Sequence, residues 1–397
     1  MLRRSRSALS CALALSLSIA PSAAWLSMSM LLPVSASLAL SARANAEAAP
    51  SGWHVGETVR VFHPSASRHW RGAQTEALVT RIWYPADATQ PETAHEIGAP
   101  GHPIFLGHAA ADDAPLSAAH AKYPLLLLSH GTGGSADSLD WLAASLAAQG
   151  YIVAGVNHPG NNALEPLTRD GFMLWWERAT DVSEVLDGML ADPRLGPHVD
   201  ATRIGALGFS LGGYTVLELA GARTDVAAFE RFCTSPAADA ICTPPEAAKL
   251  PHAPGASALT LDALSPATKA SRARSGDSYR DPRIKAVFAI APALGEAFDP
   301  NAFAEVTIPV ALLAGEADVT APVNTNIHRI AGFMPRASVT MVPGASHYTF
   351  MDVCEAAVIE RLATICRDGP GVDRDAVHAQ TAVQVRDFFA TTLAAGA

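Results

Sequence analysis

The chain has 397 residues, 49% of them hydrophobic, with 28 basic and 38 acidic side chains and a net charge of −10. Nucleic acid and anionic lipid surfaces are therefore excluded as electrostatic partners, because so acidic a chain repels both. The length exceeds that of an average domain and fits one large α/β domain that carries an insertion.

The first 46 residues have the features of an export signal. Three arginines lie within the first six residues, a long stretch rich in Ala, Leu and Ser follows, and residues 44–46 match the A-x-A pattern of signal peptidase. We expect cleavage of residues 1–46, which would leave residues 47–397 as an exported mature domain, periplasmic or secreted, with no stable membrane span. The alternative is that the apolar stretch stays as a membrane anchor.

Apolar runs alternate with helical patterns along the rest of the chain. This alternation is typical of a mostly parallel central sheet flanked by helices. The sheet strands are predicted at Leu125–Ser129, Ile152–Val156, Ile204–Leu207, Ala286–Ile290, Val310–Leu313 and Val339–Val342. Two earlier runs, Thr58–Phe62 and Leu78–Trp83, predict an antiparallel edge that precedes it. Helices are predicted at Leu139–Ala148, Trp175–Leu190, Val323–Phe333, Cys354–Ile365 and Ala376–Leu393.

A glycine-rich loop, residues 130–134, follows the first strand of the parallel sheet. Its glycines let the backbone amides turn towards a site, so the N–H of Thr132 is a candidate donor to an oxyanion. The loop lacks the lysine of a phosphate-binding P-loop and has no G-x-G-x-x-G pattern. His130 is expected to brace this loop through hydrogen bonds rather than to act as a base. His130 and Gly131 are also candidate lining residues of a substrate pocket.

Three further residues are candidates for the same pocket. His158 follows the second strand of the sheet, and Trp175 and Trp176 begin the next predicted helix. The two tryptophans would shape an apolar acyl or alcohol site. Aromatic residues on a helix are, however, more often part of the core.

The segment Gly208-Phe209-Ser210-Leu211-Gly212 has the G-x-S-x-G pattern between a predicted strand and a helical stretch. This context is typical of a nucleophile elbow, in which a sharp turn exposes the serine hydroxyl above the sheet. Ser210 is therefore the predicted nucleophile, and the N–H of Leu211 is the second predicted oxyanion donor. The alternative is a glycine-rich turn with an idle serine.

The region 222–283 interrupts the alternation of strands and helices. It is rich in Ala, Pro, Ser and Asp and lacks a β pattern, which predicts a lid or cap over Ser210; the alternative is a solvated surface excursion. After removal of the leader, four cysteines remain, and export favours two disulfides over free buried thiols or metal ligation. The simplest of three possible connectivities joins neighbours in sequence: Cys233 with Cys242, and Cys354 with Cys366.

A serine nucleophile needs a base, and the base needs an acid that fixes its tautomer. His347 follows the predicted strand Val339–Val342, at the sheet edge where catalytic loops of α/β proteins gather. Asp318 and Glu316 both follow the strand before it. Asp318 is preferred as the acid, and Glu316 is its rival.

The chain resembles α/β-hydrolases related to dienelactone hydrolases and platelet-activating-factor acetylhydrolases. The segments that carry the resemblance are residues 127–134, 157–160, 178–186, 208–213, 315–318 and 344–347. Dienelactone hydrolases use a cysteine nucleophile, whereas this chain has Ser210, which favours ordinary ester hydrolysis. The acetylhydrolases have a similar His-Gly oxyanion loop, which supports Thr132 as a donor.

These observations predict an exported serine hydrolase that cleaves small carboxylic esters through an acyl-enzyme. No metal and no organic cofactor is expected. Polyester depolymerases and lipase- or phospholipase-type hydrolases with the same triad are alternatives, and a non-catalytic binding protein with this fold is a further one. The sequence is silent on the ester and on the oligomeric state.

Overall fold

The computed structural model describes residues 52–64, 77–87, 90–250 and 265–394. The predicted signal peptide and its cleavage site lie outside these residues. Among the described residues, no helix combines the length and the apolar character needed to span a membrane.

The described residues form one ten-stranded sheet with the order β10-β9-β8-β7-β5-β6-β2-β1-β4-β3. Its strands are β1 (His54–Phe62), β2 (Leu78–Ala86), β3 (Thr93–Ala99), β4 (His102–Asp112), β5 (Tyr123–Ser129), β6 (Ile152–Val156), β7 (Val199–Phe209), β8 (Ala286–Ile290), β9 (Val310–Gly315) and β10 (Ser338–Val342). The six strands from β10 to β6 are parallel, and β2 joins β6 in the antiparallel sense. Because the carboxyl ends of parallel strands share one edge, the loops that follow them gather there.

Helices flank the sheet. They are α1 (Asp140–Ala147), α2 (Arg169–Met173), α3 (Glu177–Ala191), α4 (Leu211–Ala220), α5 (Val226–Cys233), α6 (Pro266–Ala273), α7 (Ile327–Phe333), α8 (Ala363–Cys366) and α9 (Arg374–Thr392). Every residue of β5, β6, β8 and β9 is buried. Strands covered by helices on both faces appear in the sequence as continuous apolar runs, which is why these four were predictable.

The edge of the sheet differs from the prediction. β1 and β2 pair with each other in the antiparallel sense, as expected, but they lie inside the sheet. The edge is the hairpin of β3 and β4, in which β4 pairs with β1 and β3 is outermost.

The helix predicted at Cys354–Ile365 is mostly absent. Cys354 forms a β-bridge with Phe105, which holds the backbone there extended. Only a 3-10 turn at Ala356–Val358 and the single turn of α8 follow. The apolar spacing of this segment instead serves a small core in which Cys354 and Val358 pack against Ile97 and Phe105 of the hairpin.

The region 222–283, where it is described, contains the helices α5 and α6 and two 3-10 turns, and no strand. A polar contact joins this region to a loop that follows one of the parallel strands. Thr325, in the loop before α7, donates a hydrogen bond to Asp239 over 2.5 Å. Disulfides join Cys233 to Cys242 and Cys354 to Cys366, the pairs that are neighbours in sequence.

Candidate active site

Ser210 lies in the sharp turn between β7 and α4. Its backbone has φ 56° and ψ −118°, a conformation that costs a residue with a side chain on the order of 1–3 kcal/mol. The turn is held by the Ser210 N–H, which donates to the Ile290 carbonyl over 2.9 Å, and by the Ala293 N–H, which donates to the Ser210 carbonyl. A Cβ on Gly212 would lie 1.8 Å from the Ser129 carbonyl oxygen, so only glycine allows the helix to start this close to β5.

His347 contacts both the serine and a carboxylate. Its Nε2 is 2.9 Å from the Ser210 Oγ, and its Nδ1 is 2.7 Å from the Asp318 Oδ2. His347 and Asp318 are 3% and 4% exposed, so water competes little for these hydrogen bonds. A carboxylate only accepts, so Nδ1 carries the proton and Nε2 is free to accept the serine proton.

The contacts distinguish Asp318 from Glu316. The second oxygen of Asp318 accepts the N–H groups of Thr320, over 2.9 Å, and Ala321, over 2.8 Å, which fixes the orientation of the carboxylate. Glu316 is exposed. The structure therefore brings Ser210, His347 and Asp318 together and leaves Glu316 on the surface.

Two backbone segments beside Ser210 hold the predicted oxyanion donors. Leu211 is the first residue of α4, so its N–H has no partner within the helix. Gly131 lies against the nucleophile, since a Cβ on it would be 3.2 Å from the Ser210 Cβ. The Gly131 carbonyl accepts the His130 Nδ1–H over 2.6 Å and the Gly134 N–H over 3.3 Å. Because a trans peptide unit is planar, the Thr132 N–H points away from that carbonyl.

The family model described as the alpha/beta hydrolase family matches residues 125–361. The chain belongs to this family. The predicted alpha/beta hydrolase family and fold class are thereby confirmed.

Relatives of this hydrolase include esterases of several kinds. It is 33% identical over 94 residues to Lipase 1 of Moraxella sp. (strain TA144), covering 23% of this chain and 26% of that protein. It is 30% identical over 108 residues to cutinase est1 of Thermobifida alba, covering 27% of this chain and 33% of that protein. The chain therefore spans between a quarter and a third of the length of these relatives.

A solved structure shares the fold over most of its length. The ferulic acid esterase from Streptomyces cinnamoneus superposes with a TM-score of 0.56 and 21% identity, covering 87% of this chain and 92% of that one. At this identity the likeness concerns the architecture of the hydrolase.

A second Ser-His-Asp group lies buried beneath the loop 130–134. The Ser129 Oγ is 2.9 Å from the His158 Nε2, and the His158 Nδ1 is 2.7 Å from the Asp181 Oδ2. All three residues are fully buried, so no substrate reaches them in this conformation. The His158 N–H donates to the His130 Nε2 over 3.2 Å, which leaves the proton of the His130 ring on Nδ1.

His130 is therefore a neutral support of the loop. Burial and the nearby Arg178 guanidinium hold the pKa of His130 well below its ordinary value. Arg178 also donates to the His130 carbonyl. Neither the His130 nor the His158 ring reaches the surface, so these two pocket candidates lie under the loop in the hydrolase. Sequence reasoning missed the pairing with Asp181, because α3 approaches His158 only through the fold.

The two tryptophans pack beneath the described part of the region 222–283, hereafter the insertion. Trp176 is 1% exposed, and its Nε1–H donates to the Ser271 Oγ in α6 over 3.0 Å. The Trp175 ring packs edge-on against Tyr214 of α4 and Phe229 of α5. They connect the insertion to the helix that follows the nucleophile, as core residues do.

Two groups of side chains have the spacing of metal ligands. They are Glu57 with His95 and Asp140, and His108 with Asp140 and Asp352, each with ligand atoms within 4.8 Å of one another. Both carboxylate oxygens of Asp352 accept N–H groups from the start of α1, and Asp140 accepts the Trp83 indole N–H. These bonds give the acids a structural role in the hydrolase, and neither group contains a residue of the Ser210 site.

Proposed function

We propose that this alpha/beta hydrolase is an exported serine esterase that cleaves small carboxylic esters, with Ser210 as nucleophile, His347 as general base and acid, and Asp318 as its orienting acid. The observation that carries the proposal is the position of His347, whose two ring nitrogens contact the serine hydroxyl and a buried carboxylate. The lipase, cutinase and ferulic acid esterase relatives support ester hydrolysis as the reaction class.

The chemistry proceeds in two steps. The Ser210 Oγ attacks the ester carbonyl while His347 takes the serine proton, and Asp318 stabilises the imidazolium that forms. The N–H groups of Thr132 and Leu211 donate to the oxyanion, a contribution that typically amounts to about 10²–10³ in turnover for one donor. His347 then gives the proton to the departing alcohol. A water molecule, activated by the same imidazole, releases the acid and restores the serine.

Replacement of the nucleophile tests this proposal. We expect Ser210→Ala to lower kcat for p-nitrophenyl butyrate by at least about 10⁴-fold with an unchanged melting temperature, because the remaining groups have no nucleophile to activate. Labelling of Ser210 by a fluorophosphonate provides a readout independent of substrate choice. A catalytically competent Ser210→Ala, or a wild-type serine that resists the probe, would contradict an esterase and favour a binding protein with this fold.

A matched pair of acid variants tests the assignment of Asp318. We expect Asp318→Asn to lower kcat by about 10³–10⁴-fold, because His347 then loses the acceptor that fixes its tautomer. Glu316→Gln makes the same chemical change two residues away on the exposed side of the turn and should leave kcat within about twofold. Equal losses in the two variants would refute the assignment.

Export is part of the proposal and has its own test. The mature protein should begin at Glu47 if cleavage follows residues 44–46. Amino-terminal sequencing of protein recovered from the periplasm or the medium measures this. An intact leader in membrane fractions would instead support an anchor.

A polyester-hydrolysing function is the second candidate, because two cutinases of Thermobifida alba match the chain. Such an enzyme needs an open cleft, and the insertion contacts the loops around Ser210. Release of soluble acid from an insoluble polyester film, measured beside p-nitrophenyl esters, distinguishes the two functions.

A further inference from the structure

One turn of the insertion packs against the loop that holds Thr132. The residues Pro245–Lys249 form a 3-10 turn, and the half-buried Glu246 lies at its start. A Cβ built on Gly133 would be 3.4 Å from the Glu246 Cγ. Gly133 follows Thr132 directly and has φ +62°, so the side chain of Glu246 lies over the loop beside the proposed oxyanion donor.

The same carboxylate faces the loop that holds His347. Tyr348 follows His347 and is 8% exposed. Burial raises the pKa of the Tyr348 hydroxyl to about 12, and the negative charge of Glu246 contributes to the rise. Glu246 thus lies between a residue next to the proposed donor and a residue next to the proposed base.

The charge of Glu246 has no ion-pair partner among the lysine, arginine and histidine side chains that the structure describes. The second carboxylate of the site, Asp318, is buried, and the chain as a whole carries a net charge of −10. A partly desolvated negative charge at this position repels a second one more strongly than it would in open water.

We propose that Glu246 is a specificity-determining residue that excludes esters with a negative charge near the scissile bond, so that the substrates are neutral or cationic esters. The inference rests on the proposed esterase function of Ser210. It concerns the charge of the substrate alone, because the contacts of Glu246 place a carboxylate at the site without defining the length of the acyl chain.

Three aryl butyrates that differ in charge at one position test this. They are phenyl butyrate, 4-carboxyphenyl butyrate and 4-(trimethylammonio)phenyl butyrate, and monomethyl and dimethyl adipate repeat the comparison on the acyl side. We expect Glu246→Gln to raise kcat/KM at least tenfold for the anionic esters and to lower it at least threefold for the cationic one. The neutral esters should stay within threefold. Glu360→Gln makes the same change of charge at an 83% exposed side chain and is the control.

Ionic strength provides a second measurement on the unchanged protein. The discrimination against the anionic esters should weaken between about 20 mM and 500 mM salt, because salt screens charges but leaves shape intact. Equal effects of Glu246→Gln on all three aryl esters, or none, would overturn the role of Glu246 while leaving esterase activity established. Failure of the neutral esters to react in a Ser210-dependent manner would refute the proposed function, and this charge selectivity with it.

Discussion

A single imidazole at position 130 fixes the direction of a peptide group beside the nucleophile. The His130 Nδ1–H holds the Gly131 carbonyl, and the Thr132 N–H must then point the other way. We expect His130→Gln to lower kcat by about tenfold to a hundredfold with KM nearly unchanged. An oxyanion donor that points in the wrong direction no longer stabilises the transition state, but it affects the binding of the substrate little. Steady-state kinetics with p-nitrophenyl butyrate measures the separation of kcat from KM.

The matched variant is His130→Asn, whose amide N–H replaces the Nδ1–H and should restore most of kcat. Gln places its amide near the position of Nε2 instead, so Gln can keep the bond from the His158 N–H and loses the bond to the Gly131 carbonyl, whereas Asn does the reverse. Melting temperatures control for loss of packing around a residue that is fully buried. Equal kcat losses in the Asn and Gln variants, with equal stability, would show that His130 does not orient the donor.

The residues of the candidate site were predictable because each follows a strand that the sequence shows clearly. Ser210, Asp318 and His347 come after β7, β9 and β10, and parallel strands bring such loops to one edge. The choice between Asp318 and Glu316 was not decided by spacing, since it depends on which side of a turn each side chain takes. The pairing of His158 with Asp181 depends on the packing of α3 and has no local signal.

At the scale of the element, burial on both faces decided what could be predicted. The four fully buried strands have continuous apolar runs, whereas β3 and β4 at the edge are rich in Ala, Gly and His and mostly exposed on at least one face. Their sequences therefore lack the continuous apolar run of a fully buried strand and have few of the β-branched and aromatic residues that favour strands. The helical spacing at Cys354–Ile365 was misleading because a disulfide and a β-bridge to Phe105 determine the backbone there.

The helix α4 carries a carboxyl group that makes the stability of the protein depend on pH. Glu218 is fully buried and accepts the hydroxyls of Tyr214, over 2.6 Å, and Thr224, over 2.7 Å. Burial raises the pKa of Glu218 to about 8. The folded state then holds a proton that the unfolded state releases near its ordinary pKa of about 4.3. The contribution of Glu218 to the free energy of unfolding is therefore largest below about pH 4.3 and decreases as the pH rises towards 8.

We therefore expect the free energy of unfolding to fall between pH 5 and pH 8 by on the order of 3 kcal/mol more in the wild type than in Glu218→Gln. The amide keeps an acceptor for the two hydroxyls and does not titrate. Urea unfolding at several pH values measures the difference, and subtracting the two curves removes the contributions of other groups. Parallel curves would show that Glu218 is ionised at neutral pH in the fold.

For the molecule as a whole, the two disulfides close similar loops in unlike surroundings. Their partners are 9 and 12 residues apart, so chain entropy alone gives each about 3 kcal/mol. The Cys354–Cys366 pair belongs to the small core with the β3–β4 hairpin, and Asp352, two residues before it, holds the start of α1. The Cys233–Cys242 pair ends α5, whose only buried residue is Val226.

These surroundings predict unequal effects on global stability. Replacing Cys354 and Cys366 by Ala should lower the free energy of unfolding by about 3 kcal/mol. The segment between these cysteines unfolds together with the sheet, so the disulfide restricts the globally unfolded chain. Replacing Cys233 and Cys242 should lower it by less than about 1 kcal/mol, because a segment with so few buried residues opens before the sheet does and contributes little to the global transition. The Cys233/Cys242 double variant is expected instead to change KM, because it shifts the turn that carries Glu246. Guanidinium unfolding and esterase kinetics of both double variants test these two predictions. Equal losses of stability would mean that the insertion unfolds together with the sheet.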